Sequence, residues 1–269
     1  MKKLFFLILS LLFFFIGINM LLKNKFTQKD YFPVITIIYD NNPYNKELKT
    51  SWGFSCIIKT VKHTILFDTG ANGDLLLENM KKLKIDPKKI DFLILSHNHY
   101  DHIGGLHKFL ENNPSCTIYI PKSFPKQFKN EIKEKGPKII EVDNPCNICT
   151  NVKTTGEMGT EIKEQSLIIK TDKGNLVIVG CAHPGILKII EKSNKLIENN
   201  ILLVIGGFHL LNKNETELKK IIEHFKNLNI KYVAPCHCSG DLTRKLFSAQ
   251  YKKKYINAGV GKIIEIKNL

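Results

Sequence analysis

Apolar and polar positions along this chain fall into short runs of two kinds. Val34 to Tyr39, Phe54 to Lys59, Thr64 to Phe67, Phe92 to Leu95, Thr117 to Ile120, Leu167 to Lys170, Leu176 to Val179, Ile201 to Ile205, Lys231 to Ala234 and Ile263 to Ile266 are brief apolar stretches. Such runs, set off by polar and turn-forming residues, predict strands. Between them the apolar spacing changes. Leu218, Ile221, Ile222 and Phe225 recur at i, i+3, i+4 and i+7, and Ile186, Ile189, Ile190 and Ile197 mark a second apolar face, so both segments are expected to be helical. Lys126 to Gly136 is charged and predicts an exposed helix. Strands and helices mixed in this way define an α/β class in which two sheets pack together with helices outside. No internal repeat interrupts the pattern, and residues 33–269 are read as one catalytic domain.

The first 22 residues follow a different rule. Leu4 to Leu22 is nearly continuous apolar sequence broken only by Ser10, Gly17 and Asn19, with Lys2 and Lys3 before it and Lys23 and Lys25 after it. About 19 such residues can just cross the hydrocarbon of a bilayer. Ile18, Asn19, Met20 and Leu21 provide no small-residue cleavage site. The expectation is therefore an N-terminal hydrophobic anchor helix over 1–22, kept in preference to a cleaved signal, then a lysine-bearing linker over 23–32. It makes the membrane a partner and the protein membrane-anchored.

A chain of 269 residues with 43% hydrophobic content can bury a large core. Its net charge of +15 comes almost entirely from lysine, Arg244 being the only arginine. Dispersed lysines attract anions without the bidentate geometry of arginine, which suits a small anionic substrate. No basic stripe interleaved with aromatics points to nucleic acid, so that partner is kept only as a secondary reading. The seven cysteines form no regular disulfide framework. Cys56 and Cys181 lie in or beside apolar runs and are read as buried thiols. Cys146-Asn147-Ile148-Cys149 is read as a plain loop or an occasional disulfide.

The densest chemistry lies in Ser96-His97-Asn98-His99-Tyr100-Asp101-His102-Ile103-Gly104-Gly105-Leu106, directly after the apolar run ending at Leu95. His97 and His99, two apart in extended chain, project to one side and can grip one ion. Asp101 and His102 lie beyond the turn, where they can be aimed at a second. Imidazole with carboxylate suits two divalent metal ions, zinc first, iron or manganese next. Further ligands are expected at the ends of later strands. His183 follows Leu176 to Gly180, and His237 follows Lys231 to Ala234; both are assigned as ligands. Cys236 and Cys238 alternate away from the face of His237 and are assigned to packing around it. Asp68, ending the run Thr64 to Phe67, is expected to accept a hydrogen bond from a ligand histidine and fix its tautomer. His63, His107 and His224 are read as structural or solvated.

At these residues the chain resembles the metallo-β-lactamase-fold hydrolases, whose signature is His-x-His-x-Asp-His at a strand end. Leu66-Phe67-Asp68-Thr69-Gly70, Gly180-Cys181-Ala182-His183-Pro184-Gly185-Ile186, Gly206-Gly207-Phe208-His209-Leu210 and Pro235-Cys236-His237-Cys238-Ser239-Gly240 extend the likeness. They are similar to one branch of that superfamily, the dihydropterin ribofuranosylaminobenzene phosphate synthase group. The resemblance covers roughly Val34 to Ile266 and implies a four-layer αβ/βα sandwich. The superfamily normally supplies an aspartate that bridges the two metals late in the chain. Neither Gly-Cys-Ala-His nor Gly-Gly-Phe-His presents one, so His209 either replaces it as a ligand or touches the substrate.

The expected function is that of a dinuclear metal-dependent hydrolase acting on a small anionic substrate such as a phosphoester through a metal-bound hydroxide. Asp101 would both ligate and orient the nucleophile, and His209 could protonate the leaving group. The resemblance also implies an alternative, a pterin-condensing transferase that forms a C–N bond and releases pyrophosphate. Hydrolysis ranks above it because a tethered protein is an odd member of a soluble pathway. A metal-dependent nuclease and a non-enzymatic membrane-anchored metal sensor are the remaining alternatives.

Overall fold

A computed structural model describes residues 32–197 and 199–269. The first sheet is built from β1 (Val34–Tyr39), β2 (Ser55–Lys59), β3 (Thr64–Phe67), β4 (Phe92–Ile94), β5 (Thr117–Pro121), β6 (Lys138–Val142) and β13 (Ile263–Glu265), in the order β13-β1-β2-β3-β4-β5-β6. The second contains β7 (Asn147–Cys149), β8 (Val152–Thr154), β9 (Leu167–Thr171), β10 (Gly174–Val179), β11 (Ile201–Gly207) and β12 (Tyr232–Cys236), in the order β12-β11-β10-β9-β8-β7. Each sheet is antiparallel on one side and parallel on the other. Strands β3 to β6 run parallel, as do β10 to β12.

Parallel neighbours need crossover connections, and helices supply them. Helix α1 (Gly73–Lys82) joins β3 to β4, α2 (Tyr100–Ile103) and α3 (Leu106–Asn112) join β4 to β5, and α4 (Lys126–Glu134) joins β5 to β6. On the other sheet α5 (Ile186–Leu196) and α6 (Glu215–Asn227) make the crossovers, and α7 (Asp241–Tyr251) follows β12. Alternation along the strands separates two faces. Leu66, Leu93, Ile118 and Ile120 pack against Leu76, Met80, Phe109 and Ile132 of the first helical layer. Val177, Val204 and Val233 pack against Ile190, Ile222, Phe225 and Phe247 of the second. The intervening residues, Ile58, Ile65, Phe67 and Ile94 on one sheet and Leu176, Ile178, Leu203 and Ile205 on the other, are fully buried. With helices on the outer faces, these inner faces cover one another, which gives the four-layer αβ/βα sandwich.

The expected strands all form, and the structure adds three that the pattern did not indicate: β6, β7 and β8. The Cys146 to Cys149 segment, expected as a loop, enters the short β7–β8 hairpin, and both its thiols are free. Lys126 to Gly136 forms the exposed helix expected of it, with Ile132 its one buried residue. The expectation of a membrane-anchored protein is corrected. Among the described residues no helix is long and apolar enough to cross a membrane. The longest, α6 at 13 residues, carries a single apolar stripe of Leu218, Ile222 and Phe225. The stretch that prompted the expectation, Leu4 to Leu22, lies outside the described residues, as does the linker up to residue 31.

Candidate metal centre

Ligands of open α/β sheets gather where parallel strands end, and here two sets of parallel strands end at one place. From the first sheet, Asp68 leaves β3, Ser96 and His97 follow β4, and His99, Asp101 and His102 sit at the start of α2. From the second, Cys181 and His183 follow β10, His209 follows β11, and His237 follows β12. The approach of the two sheets is made possible at Gly180. A Cβ there would stand 2.7 Å from the Ser96 Cβ, too close for any side chain.

The imidazoles form a continuous cluster. The ring of His97 lies 4.6 Å from that of His99, 4.2 Å from His102 and 4.8 Å from His183. The His99 and His183 rings are 4.8 Å apart, and His102 and His237 are 5.0 Å apart. His102 Nε2 is 3.2 Å from His237 Nε2, and Asp101 Oδ2 is 3.2 Å from His237 Nε2 and 3.7 Å from His102 Nε2. The six residues expected to hold metal, His97, His99, Asp101, His102, His183 and His237, are therefore brought together.

Hydrogen bonds on the far side of each ring decide which nitrogen faces inward. The Asp68 carboxylate can only accept; its Oδ1 takes the Ser96 backbone N–H at 2.7 Å and its Oδ2 the Ser96 hydroxyl at 2.7 Å. Oδ2 also lies 2.7 Å from His102 Nδ1, so that nitrogen carries the proton. With its own proton spent on Asp68, the Ser96 oxygen accepts from His97 Nδ1 at 2.8 Å. His237 Nδ1 similarly faces the side-chain amide oxygen of Asn41, Oδ1, at 3.1 Å. In all three rings Nε2 is left with an inward lone pair, the state that binds metal. Asp68 thus accepts hydrogen bonds from Ser96 and from His102. Ser96 and Asn41 were not indicated by the sequence, because their roles depend on partners that only the fold supplies.

Electrostatics follow from burial and crowding. Burial, reinforced by neighbouring imidazoles, pushes His97 well below its ordinary pKa. Burial likewise lowers His183 to about 4, with His209 adding to the effect. Burial also works against charge on His102, but Asp68 outweighs it and raises that ring. For Asp101, burial would raise the carboxyl, yet the His237 hydrogen bond and the field of His102 hold it below the usual carboxylate range. A buried carboxylate supports the second-sheet loop: Glu164 accepts backbone N–H bonds from Cys181, Ala182 and His183 at 3.0, 2.9 and 2.9 Å. These bonds hold Ala182 at φ +61°, a left-handed conformation that alanine rarely takes.

The donor set fits metal ions. His97 Nε2 and His183 Nε2 are buried without any hydrogen-bond partner, an expensive arrangement unless the lone pairs meet a cation. Potential ligand atoms fall into groups within 4.8 Å of one another: Asp101, His102, Cys181 and His237 form one, and His97, Cys181 and His183 another. Cys181 belongs to both, whereas the apolar run beside it suggested a packing thiol. His209 is exposed; its ring lies 4.4 Å from that of His183, and it groups with Cys181 and Cys238. It lines two cavities at the mouth of the site. One, of about 540 Å³, includes Met158, Ile162, His183 and Lys188. The other, of about 250 Å³, includes Trp52, Leu211 and Lys213. His63 stands instead beside Asp91, and His224 bonds to the Lys220 carbonyl of its own helix.

A two-sheet sandwich with clustered imidazole and carboxylate donors where its parallel strands end defines a metal-binding α/β protein. Residues 53–237 match the metallo-beta-lactamase superfamily, and the chain belongs to it. It is 30% identical to the 7,8-dihydropterin-6-methyl-4-(beta-D-ribofuranosyl)-aminobenzene-5'-phosphate synthase of Methanocaldococcus jannaschii, over 88% of this chain and 97% of that protein. An uncharacterized protein of the same organism is also 30% identical, over 87% of this chain and 100% of its own length. Among solved structures, Tm1679, described as a metal-dependent hydrolase of the beta-lactamase superfamily, superposes with a TM-score of 0.73 at 26% identity, over 87% of this chain and 99% of the other.

Proposed function

We propose that residues 33–269 form a dinuclear metal-dependent hydrolase acting on a small anionic substrate, a phosphoester being the leading class. The observation that carries this reading is the pair of adjacent donor groups, one around His97 and His183 and one around Asp101, His102 and His237. Two divalent ions, zinc first and iron or manganese next, held by His97, His99 and His183 and by Asp101, His102 and His237, would supply Lewis acidity and water of lowered pKa. The chain's own groups do the rest. Asp101, whose side chain is 20% exposed, is open enough to orient the attacking water. Lys188 and Lys213, one in each cavity beside His209, attract the anionic group of the substrate. The His209 ring, exposed between those cavities, is placed to protonate the leaving group.

A second reading has a specific observation behind it. The synthase from M. jannaschii aligns over nearly its whole length, which favours condensation with release of pyrophosphate. The membrane tether finds no spanning helix among the described residues, so hydrolysis keeps first place on the likeness to Tm1679, described as a metal-dependent hydrolase. Metal-loaded protein tested on phosphomonoesters, phosphodiesters, lactones and thioesters, and in parallel on dihydropterin pyrophosphate with a ribofuranosylaminobenzene phosphate, separates the two. Phosphoester turnover that Asp101→Ala abolishes while the protein stays folded is the expected result. Pyrophosphate release only when the pterin and the aminobenzene co-substrate are both present would replace hydrolysis by condensation, and normal turnover by the Asp101 variant would refute the mechanism.

A further inference from the structure

Cys181 occupies the centre of the cluster, and neither the histidine motif nor the comparisons assign it a role. It follows Gly180 at the end of β10 and is almost fully buried. A packing thiol is surrounded by carbon, whereas this sulfur faces donors. Cys181 Sγ lies 3.1 Å from His102 Nε2. It falls within 4.8 Å of ligand atoms of Asp101, His102 and His237 on one side and of His97 and His183 on the other. These two groups have no other member in common. On the side of His97 and His183 both Nε2 atoms are buried and unpartnered, so the sulfur stands between two sets of inward lone pairs.

We propose that Cys181 is a metal ligand whose thiolate sulfur is shared between the two ions. The inference rests on the two-ion reading above. Thiolate is a strong donor to zinc and to other borderline-soft divalent ions. Ligation breaks the S–H bond; the sulfur keeps the electron pair and the proton passes to solvent. One anionic sulfur between two cations offsets charge that neutral imidazoles leave in place. The surrounding chain holds the sulfur where it is needed. Glu164 fixes the backbone of Cys181 through its N–H at 3.0 Å, and the thiol of Cys238, 3.3 Å from Cys181 Sγ, donates to it. Cys238 groups with Cys181 and His209 but with none of the six expected ligands, so it steadies the sulfur without joining the ion pair. Both cysteines are free thiols.

Cobalt(II) titration of the full chain under reducing conditions tests the assignment without relying on turnover. Visible ligand-field bands count the ions, and a near-ultraviolet charge-transfer band reports thiolate ligation. The expected result is that two equivalents bind and the charge-transfer band grows through both. Cys181→Ser should lose the band and weaken cobalt binding by at least the roughly 10- to 100-fold that losing an outer partner costs. Cys238→Ser should keep the band, and Cys181→Asp, which restores an anionic donor, should recover two ions without it. A band complete after the first equivalent would overturn sharing. Two bound ions with no band, or a band that survives Cys181→Ser, would overturn ligation while leaving the two-ion reading intact. Fewer than two equivalents on the wild-type chain would overturn that reading and the sharing with it.

Discussion

Asp68 carries more of this centre than any ligand does, since one carboxylate orders His102 directly and His97 through Ser96. It also sits at φ +56°, where aspartate and asparagine are the tolerated side chains. Asp68→Asn should therefore keep the fold and lose about 10- to 100-fold in metal affinity, because it cannot accept all three hydrogen bonds. Competition against a chelator measures this, and unchanged affinity would mean that the rings are ordered by packing alone. His209, at φ +53°, calls for the same precaution. His209→Asn should retain both ions and lower turnover by about 10²- to 10⁴-fold, the scale of a lost general acid. Loss of one ion instead would make it a ligand, and an unchanged rate with both ions would make it structural. At this scale the motif residues were legible in the sequence because they are neighbours along the chain or follow apolar runs. Asn41 lies 196 positions from the His237 it orients, and Cys181 shows its surroundings only once the two sheets meet, so neither role could be read from local pattern.

Among the elements, the loop between β10 and α5 draws its support from outside itself. Three of its N–H groups have Glu164 as their acceptor, and the carboxylate is itself fully buried. Burial pushes that carboxyl above its ordinary pKa, while the three backbone bonds work to lower it. Glu164→Ala should destabilise the protein by more than about 3 kcal/mol, since each buried donor left unpaired costs about 1–3 kcal/mol. Denaturant unfolding tests this, and a loss below 1 kcal/mol, roughly one neutral hydrogen bond, would show that the loop holds itself. Strands buried on both faces, such as β4, β10 and β11, were legible as apolar runs. The missed ones explain themselves. β7 and β8 have three residues each, too few to display a period, and β6 is a half-exposed edge strand with lysine and glutamate in it. Their order comes from neighbouring strands rather than from their own composition.

At the scale of the whole molecule, the two sheets contribute to one centre from opposite sides: His97, Asp101 and His102 from the first, His183 and His237 from the second. The apolar periodicity made the two-sheet α/β class legible, and the four-layer arrangement came with the resemblance. The anionic substrate remains a proposal, whereas the membrane expectation rested on residues outside the described fold and is not supported by any helix within it. The central claim is that the described residues build a site for two ions. Elemental analysis of the purified full chain after metal loading and removal of free metal tests it most directly. About two divalent ions per chain are expected, falling to about one in a folded His237→Asn variant, since His237 belongs to only one of the two donor groups and asparagine tolerates its φ of +48°. A wild-type chain that retains one ion or none would contradict it.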